Sequence, residues 1–162
     1  MKIRTNPLLG TWELAESDSA RPSAARIRTD RIPCTRNSLL IVDDEAMVRR
    51  AFQIILSRDL PGLSIELATN GAEAVEQFRV GHHAVILMDL SMPVMDGEKA
   101  FFEIERICHA DKWAMPAIVF CTGHSPSSNL RDIVLSDHQH CMLQKPVRNK
   151  LLVEIVTARL QR

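Results

Sequence analysis

The chain has 162 residues, of which 46% are hydrophobic and 25% are charged, proportions that are typical of a soluble globular domain. Its formal net charge is zero, which argues against a nucleic-acid-binding protein that relies on an overall basic field. No apolar run is long enough to cross a bilayer, so we expect a cytoplasmic protein without a membrane anchor. The four cysteines show no C-x-x-C spacing, which favours reduced thiols over zinc ligands or disulfides.

Residues 1–37 differ in composition from the rest of the chain and are predicted to form a flexible, disordered arm. They mix Ser, Ala, Pro and charged residues without a helical or strand period. Seven Lys or Arg against four Asp or Glu give this segment a net charge of +3, a mild imbalance that favours contact with its own domain over DNA binding. The folded domain is predicted to cover residues 38–162.

From Ser38 onward, short apolar runs alternate with segments of helical period. The apolar runs predict five strands, at residues 38–42, 63–68, 84–88, 117–120 and 141–144. In the first helical segment, Met47 and Phe52 belong to one apolar face, and Asp44 is a predicted helix cap. Alternating strands and helices predict an α/β fold, a parallel sheet with helices on both faces. For a domain of this length we expect the doubly wound, flavodoxin-like strand order 2-1-3-4-5.

Polar residues follow four of the five predicted strands. Asp43 and Asp44 end the first strand, Asp89 the third, Thr122 the fourth and Lys145 the fifth. Because the carboxyl ends of parallel strands meet at one edge, these side chains are expected to converge where the winding reverses. Three carboxylates repel one another unless a cation neutralises them, and hard oxygen ligands suit Mg²⁺. The pattern favours phosphoryl transfer to Asp89, with Mg²⁺ and Lys145 neutralising the developing charge.

Five motifs follow one another along the chain: "LLIVDDE", "ATNGAEAVEQF", "ILMDLSMPVMDG", "IVFCTG" and "LQKP". In their order and spacing they resemble the receiver domain of two-component response regulators, over residues 38–162. The resemblance implies that Asp89 is the phosphoacceptor. It also implies that Asp43, Asp44 and Asp89, with the backbone carbonyl of Ser91, hold Mg²⁺.

The resemblance assigns further roles around the phosphoacceptor. Thr122 matches the switch hydroxyl and Lys145 the phosphate-binding lysine, which Pro146 follows through a cis peptide bond in the family. Ser91 and His124 occupy positions that in the family border the attacking water, so both are expected to tune the lifetime of the phosphoaspartate.

One position departs from the family pattern. Three residues before the lysine, the family usually has Tyr or Phe, a ring that swings inward on activation, whereas this chain has Met142. We therefore expect phosphorylation to be intact and the usual aromatic readout to be altered.

The resemblance also implies the partners. The donor would be a histidine kinase or a histidine phosphotransfer protein, and the chain would act as a stand-alone phosphoacceptor that catalyses only its own phosphorylation and dephosphorylation. No output domain follows the last predicted helix, so DNA binding is not expected. Apolar residues at helical spacing predict a fourth helix around Leu130 and Ile133 and a fifth around Leu151 and Ile155. The face formed by helix 4, strand 5 (residues 141–144) and helix 5 is the expected docking surface, and a weak homodimer would form through the same face.

Three other interpretations compete with this one. A flavin carrier of the same fold needs a hydroxyl- and Gly-rich phosphate loop after the first strand, where this chain has Asp-Asp-Glu. A phosphatase of the D-x-D type needs an acid two residues after Asp89, where this chain has Ser91. A receiver-like interaction module that never becomes phosphorylated would not need the complete set of site residues. This chain has all five of them: Asp43, Asp44, Asp89, Thr122 and Lys145.

Overall fold

The apolar runs form one five-stranded sheet in the computed structural model, which describes residues 31–161. The strands are β1 (Thr35–Val42), β2 (Ser64–Ala68), β3 (His83–Met88), β4 (Ala117–Thr122) and β5 (Cys141–Gln144). Their order across the sheet is β2-β1-β3-β4-β5, and each neighbouring pair is parallel. The predicted doubly wound, flavodoxin-like order is therefore confirmed.

Within the described residues, four helices connect the strands and a fifth follows β5, so that helices cover both faces of the sheet. They are α1 (Ala46–Asp59), α2 (Gly71–Gly81), α3 (Gly97–Ala110), α4 (Ser128–Ser136) and α5 (Asn149–Leu160). Side chains of Asn70, Asp96 and Ser127 accept backbone N–H groups at the starts of α2, α3 and α4. Within residues 31–161, no helix is long and apolar enough to span a bilayer.

The predicted cap of the first helix is wrong. Glu45, not Asp44, occupies the N-cap position of α1, and its side chain makes no capping hydrogen bond. Asp44 lies one residue too early to reach the free N–H groups of the helix. Its carboxylate is consequently left for the edge of the sheet, where β1 ends.

Two apolar layers form the core, one on each face of the sheet. Leu40 packs with Phe101 of α3, whereas Leu39 packs with Leu56 of α1, because neighbouring strand residues point to opposite faces. Met47 departs from the predicted buried stripe of α1 and is 85% exposed. It lies in the first turn of α1, next to the edge where the strands end.

A short segment before β1 crosses the amino edge of the sheet, and we call residues 31–34 the strap. The backbone N–H of Ile32 donates to the Lys112 carbonyl at 2.8 Å, and Ala114 N–H donates to the Ile32 carbonyl at 2.7 Å. The thiol of Cys34 donates to the Ala114 carbonyl as well. The strap thus joins β1 to the connection between α3 and β4.

Regular structure begins earlier in the chain than the sequence predicted. β1 begins at Thr35, three residues before Ser38, where the folded domain was predicted to start. The remainder of the predicted flexible arm, residues 1–30, lies outside the described residues.

Candidate functional site

Three aspartates meet at the carboxyl edge of the sheet. Asp43 and Asp44 follow β1, and Asp89 follows β3, the neighbouring strand, whose end is tied to β1 by the hydrogen bond from Asp89 N–H to the Val42 carbonyl. One carboxylate oxygen from each aspartate lies within 4.8 Å of the other two. Asp43 and Asp89 are buried, at 2% and 6% exposure, and Asp44 is exposed. The predicted convergence of acidic residues is present in the structure.

A lysine bridges the two buried carboxylates. The Lys145 Nζ donates to Asp43 Oδ2 at 2.7 Å and to Asp89 Oδ2 at 2.9 Å. Burial alone would lower the pKa of Lys145, but the hydrogen bonds to the two aspartates outweigh it and raise the pKa above its usual value. Lys145 follows β5, its N–H donates to the Thr122 carbonyl at 3.0 Å, and its peptide bond to Pro146 is cis. One ammonium group thus bonds two of the three clustered carboxylates.

The donor set at this edge fits a hard divalent cation such as Mg²⁺. Asp43 Oδ1 accepts the Glu45 N–H at 2.9 Å, and Asp89 Oδ1 accepts a weak hydrogen bond from Ser91 N–H at 3.4 Å. Asp44 makes no side-chain hydrogen bond or ion pair within the described part of the chain. It is the carboxylate most available to a metal ion. Carboxylate oxygens at a partly open edge are the ligands that Mg²⁺ prefers, because it retains several waters.

Thr122 and His124 lie beside the acidic cluster. Thr122 ends β4 and is 2% exposed, and its Oγ1 accepts the His124 N–H at 3.0 Å. Among residues 31–161, its hydroxyl forms no hydrogen bond with Asp89 or Lys145. The His124 side chain borders a cleft of about 550 Å³ that Ser91 also lines. These residues surround the cluster without belonging to it.

Met142 lies within β5, three residues before Lys145. It is paired with Phe120 of β4 and packs, half-buried, against the core layer that includes Leu130 of α4. It therefore packs in the core layer that also contains Leu130 of α4.

Two residues that support the site were missed in the sequence. A Cβ on Gly97 would lie 2.0 Å from the Asp89 carbonyl oxygen, so a side chain is excluded there. An Asp-Gly pair such as residues 96–97 is typical of a turn, but it does not predict this contact. Arg49 Nη1 donates to the Asp43 carbonyl at 2.5 Å and so holds the loop that carries the acidic pair. No spacing rule would have identified Arg49.

The comparison with known families agrees with this geometry. Residues 39–157 match the family model of the response regulator receiver domain. The chain belongs to the response regulator receiver family. Receiver domains act in two-component signalling, and the matched range includes the acidic cluster and Lys145.

The curated relatives are longer proteins that match part of this receiver domain. The chain is 43% identical over 70 residues to a protein-glutamate methylesterase/protein-glutamine glutaminase of Aliivibrio fischeri, a match that covers 43% of this chain and 19% of the relative. It is 44% identical over 61 residues to the transcriptional regulatory protein SrrA of Staphylococcus aureus, covering 38% of this chain and 24% of that protein. The matches span about a fifth to a quarter of these relatives' length.

Solved structures support the receiver fold. A signal receiver domain of a putative Luxo repressor protein from Vibrio parahaemolyticus aligns with a TM-score of 0.65 and 21% identity, over 79% of this chain and 92% of that one. A CheY-like receiver domain from Methanospirillum hungatei aligns with a TM-score of 0.63 and 20% identity, over 78% and 95%. At these identities the likeness shows the fold alone.

Proposed function

We propose that this receiver domain is a phosphoacceptor of a two-component system or phosphorelay, and that Asp89 takes a phosphoryl group from a phosphohistidine. One observation carries the proposal: the Lys145 ammonium bridges the buried carboxylates of Asp43 and Asp89, and the exposed carboxylate of Asp44 lies beside them. The bridge holds the proposed nucleophile at the carboxyl edge of the sheet, beside an exposed carboxylate that is available to a cation.

The proposed chemistry is a single displacement at phosphorus. A carboxylate oxygen of Asp89 forms a bond to phosphorus, the phosphorus–nitrogen bond of the phosphohistidine breaks, and the imidazole leaves. Lys145 already lies 2.9 Å from Asp89 Oδ2, so its ammonium can bind an oxygen of the transferred group. Mg²⁺ held by the Asp43, Asp44 and Asp89 carboxylates and the Ser91 carbonyl would, when bound, supply positive charge to the phosphoryl oxygens.

The donor would dock on an apolar groove beside Lys145. This groove of about 490 Å³ lies between α1 and the start of α5, and Ala51, Phe52 and Val147 line it. A helix of a histidine kinase or histidine phosphotransfer protein could pack its apolar side there and bring a phosphohistidine to Asp89. Apolar lining next to a charged pocket supports a protein donor over a free metabolite.

The proposed readout is a movement of Thr122. Its hydroxyl, now bonded within its own loop, would turn toward a phosphoryl oxygen and leave space near β5. Met142 is unbranched and can enter such a gap at low rotamer cost, but it lacks a rigid ring with two defined positions. We expect modest shifts at the Met142 methyl and clear shifts at the Thr122 amide when Mg²⁺ and beryllofluoride are added. Met142→Tyr should widen the difference between the two states.

The remaining assignments are proposals of the same kind. The protein would catalyse only its own phosphorylation and dephosphorylation in the cytoplasm, and it would dock a protein target, or weakly a second copy, through α4, β5 and α5.

His124 and Ser91 share one cleft and are proposed to tune phosphoaspartate lifetime. His124→Ala should then change the dephosphorylation rate without changing the yield of labelling, and an unchanged half-life would remove His124 from this role.

Phosphotransfer from acetyl phosphate in the presence of Mg²⁺ tests the proposal. Wild-type protein should gain one phosphoryl group that is lost in alkali, and Asp89→Asn should gain none because the nucleophile is gone while the shape is kept. Asp132→Asn, at an exposed position of α4, is the matched control and should label like wild type. If Asp89→Asn is labelled as strongly as wild type, the phosphoacceptor is another residue. If wild type stays unlabelled with acetyl phosphate and with every histidine donor tried, a non-phosphorylated interaction module is the better description.

A further inference from the structure

A side-chain hydrogen bond joins the beginnings of α3 and α4 beside the site. Glu98 lies in the first turn of α3, and Ser127 is the N-cap residue of α4. The Ser127 hydroxyl donates to Glu98 Oε1, while the same Oγ accepts the Leu130 N–H at 3.2 Å. Because a hydroxyl has one proton to donate, the contact with Glu98 uses it fully. Glu98 is therefore bonded to the residue that caps α4.

Ser127 also ends the loop that starts at Thr122. Five residues, 123–127, connect β4 to α4, and the loop is held near each end by a side chain. At the first end, Thr122 Oγ1 accepts the His124 N–H at 3.0 Å; at the second, Ser127 is bonded to Glu98. Loop and α3 together line the cleft of about 550 Å³, which includes Glu98, His124 and Pro126. A shift of Thr122 toward Asp89 must be absorbed within these five residues.

We propose that Glu98 is a positioning residue that acts through Ser127 to oppose the movement of this loop when Asp89 is phosphorylated. The inference rests on the proposed function of Asp89. A hydrogen bond from a hydroxyl to a carboxylate is stronger than one between neutral groups. Its loss on loop movement would lower the population of the phosphorylated conformation, and the apparent affinity for a phosphoryl mimic would be lower by the same factor.

Beryllofluoride with Mg²⁺ is the probe that tests this role. Glu98→Gln keeps the shape and removes the charge, so it should bind beryllofluoride about threefold to tenfold more tightly than wild type. Glu105→Gln, at an exposed position of the same helix, is the matched control and should bind like wild type. A purely structural role would change the melting temperature of the Glu98 variant and leave its beryllofluoride affinity unaltered.

Ser127→Asp tests the Ser127–Glu98 hydrogen bond, which we call the tether, separately from the helix cap that Ser127 provides. Asp is a good N-cap residue, so α4 stays capped, but it cannot donate to Glu98. This variant should also bind beryllofluoride more tightly. In the double variant Glu98→Gln/Ser127→Asp, a side-chain amide can donate to a carboxylate, and the affinity should return toward that of wild type.

Two results separate failure of this inference from failure of the proposed function. Wild type that binds beryllofluoride, with Glu98→Gln and Ser127→Asp equal to it, would overturn the tether and leave the phosphoacceptor in place. Wild type that neither binds beryllofluoride nor accepts phosphate would overturn the proposed function, and the tether with it.

Discussion

Gly97 packs against the backbone of Asp89 so closely that a Cβ on the glycine would lie 2.0 Å from the Asp89 carbonyl oxygen. The Gly97 N–H also donates to the Leu90 carbonyl at 3.0 Å. The start of α3 is therefore in contact with the main chain of the proposed nucleophile. Both observations tie the position of the Asp89 carboxylate to the absence of a side chain at Gly97.

Gly97→Ala should displace Asp89 and destabilise the domain. The clash is with backbone, which cannot be relieved by a rotamer change, and we expect a loss of about 3 kcal/mol in the free energy of unfolding. Urea unfolding measures the stability, and labelling by acetyl phosphate in the remaining folded protein should fall as well. Gly123→Ala is the control, since a Cβ there meets nothing within 4 Å. Equal stability of the two variants would contradict the packing described for Gly97.

Lys145→Met should change metal binding and phosphoryl transfer in opposite directions. The Lys145 Nζ occupies oxygens of Asp43 and Asp89 that a divalent cation would also use, so its removal should strengthen Mg²⁺ binding about threefold to tenfold. The same change removes a donor to the phosphoryl oxygens, and labelling should slow by about a hundredfold.

Mg²⁺ titration and labelling kinetics measure these two effects. Lys150→Met is the control, because the Lys150 side chain is 90% exposed on α5. Weaker Mg²⁺ binding by Lys145→Met would show that the ammonium does not compete with the cation.

The stability of the domain should fall as the pH is lowered, partly through His140. Burial lowers the pKa of His140, and nearby Asp137 only partly offsets this effect, while Arg159 adds to it. In the folded protein the His140 Nδ1 accepts the Ile118 N–H at 3.2 Å, which requires that nitrogen to be unprotonated. The unfolded chain takes up a proton near pH 6.5, whereas the folded protein does so only at lower pH. Lowering the pH through this range therefore favours unfolding.

His140→Gln should reduce this pH dependence. We expect the wild-type free energy of unfolding to drop between about pH 7.5 and about pH 5.5, and to drop less steeply in the variant. His138→Gln, an exposed histidine in the same connection, is the control. Urea unfolding at several pH values measures the slopes. Identical slopes for wild type and His140→Gln would mean that other groups cause the loss.

Val94→Gly should stabilise the protein. Val94 lies in the loop after Asp89 with φ of 67°, a left-handed conformation that a β-branched side chain rarely adopts, and it is 87% exposed. Relief of this strain should exceed the added entropy of the unfolded chain and gain about 1 kcal/mol. Val80→Gly, at an equally exposed position in the last turn of α2, should instead lose about 0.5 kcal/mol. A loss at both positions would contradict the strain at Val94.

The strands and helices followed from the periodicity of the sequence, and the convergence of the acidic residues followed from the strand ends, whereas the strand order was inferred from the fold class. Asp43 and Lys145 are 102 positions apart, yet parallel strands bring their ends to one edge without any knowledge of side-chain contacts. The motifs then assigned roles to these residues through resemblance to the family.

Contacts between loops and helix ends did not follow from the sequence. The Glu98–Ser127 hydrogen bond depends on how α3 and α4 sit against each other, and neither residue belongs to a periodic pattern. The cap of α1 was assigned one residue too early because Asp44 and Glu45 are both acidic, and only the backbone decides which of them adjoins the helix. The strap contains one large apolar residue, Ile32, and its partners lie about 80 positions away, so no local signal marked it.

The position of the strap makes residue 31 a suitable site for attaching a fluorescent label. Since the strands are parallel, Arg31 enters at the edge opposite Asp89, and β3 alone separates the two edges by about 20 Å. A bulky fluorophore attached at the exposed position 31, in place of the Arg31 side chain, would therefore be kept clear of the groove between α1 and α5. Such a label could follow the tumbling of the molecule while a partner occupies the opposite edge.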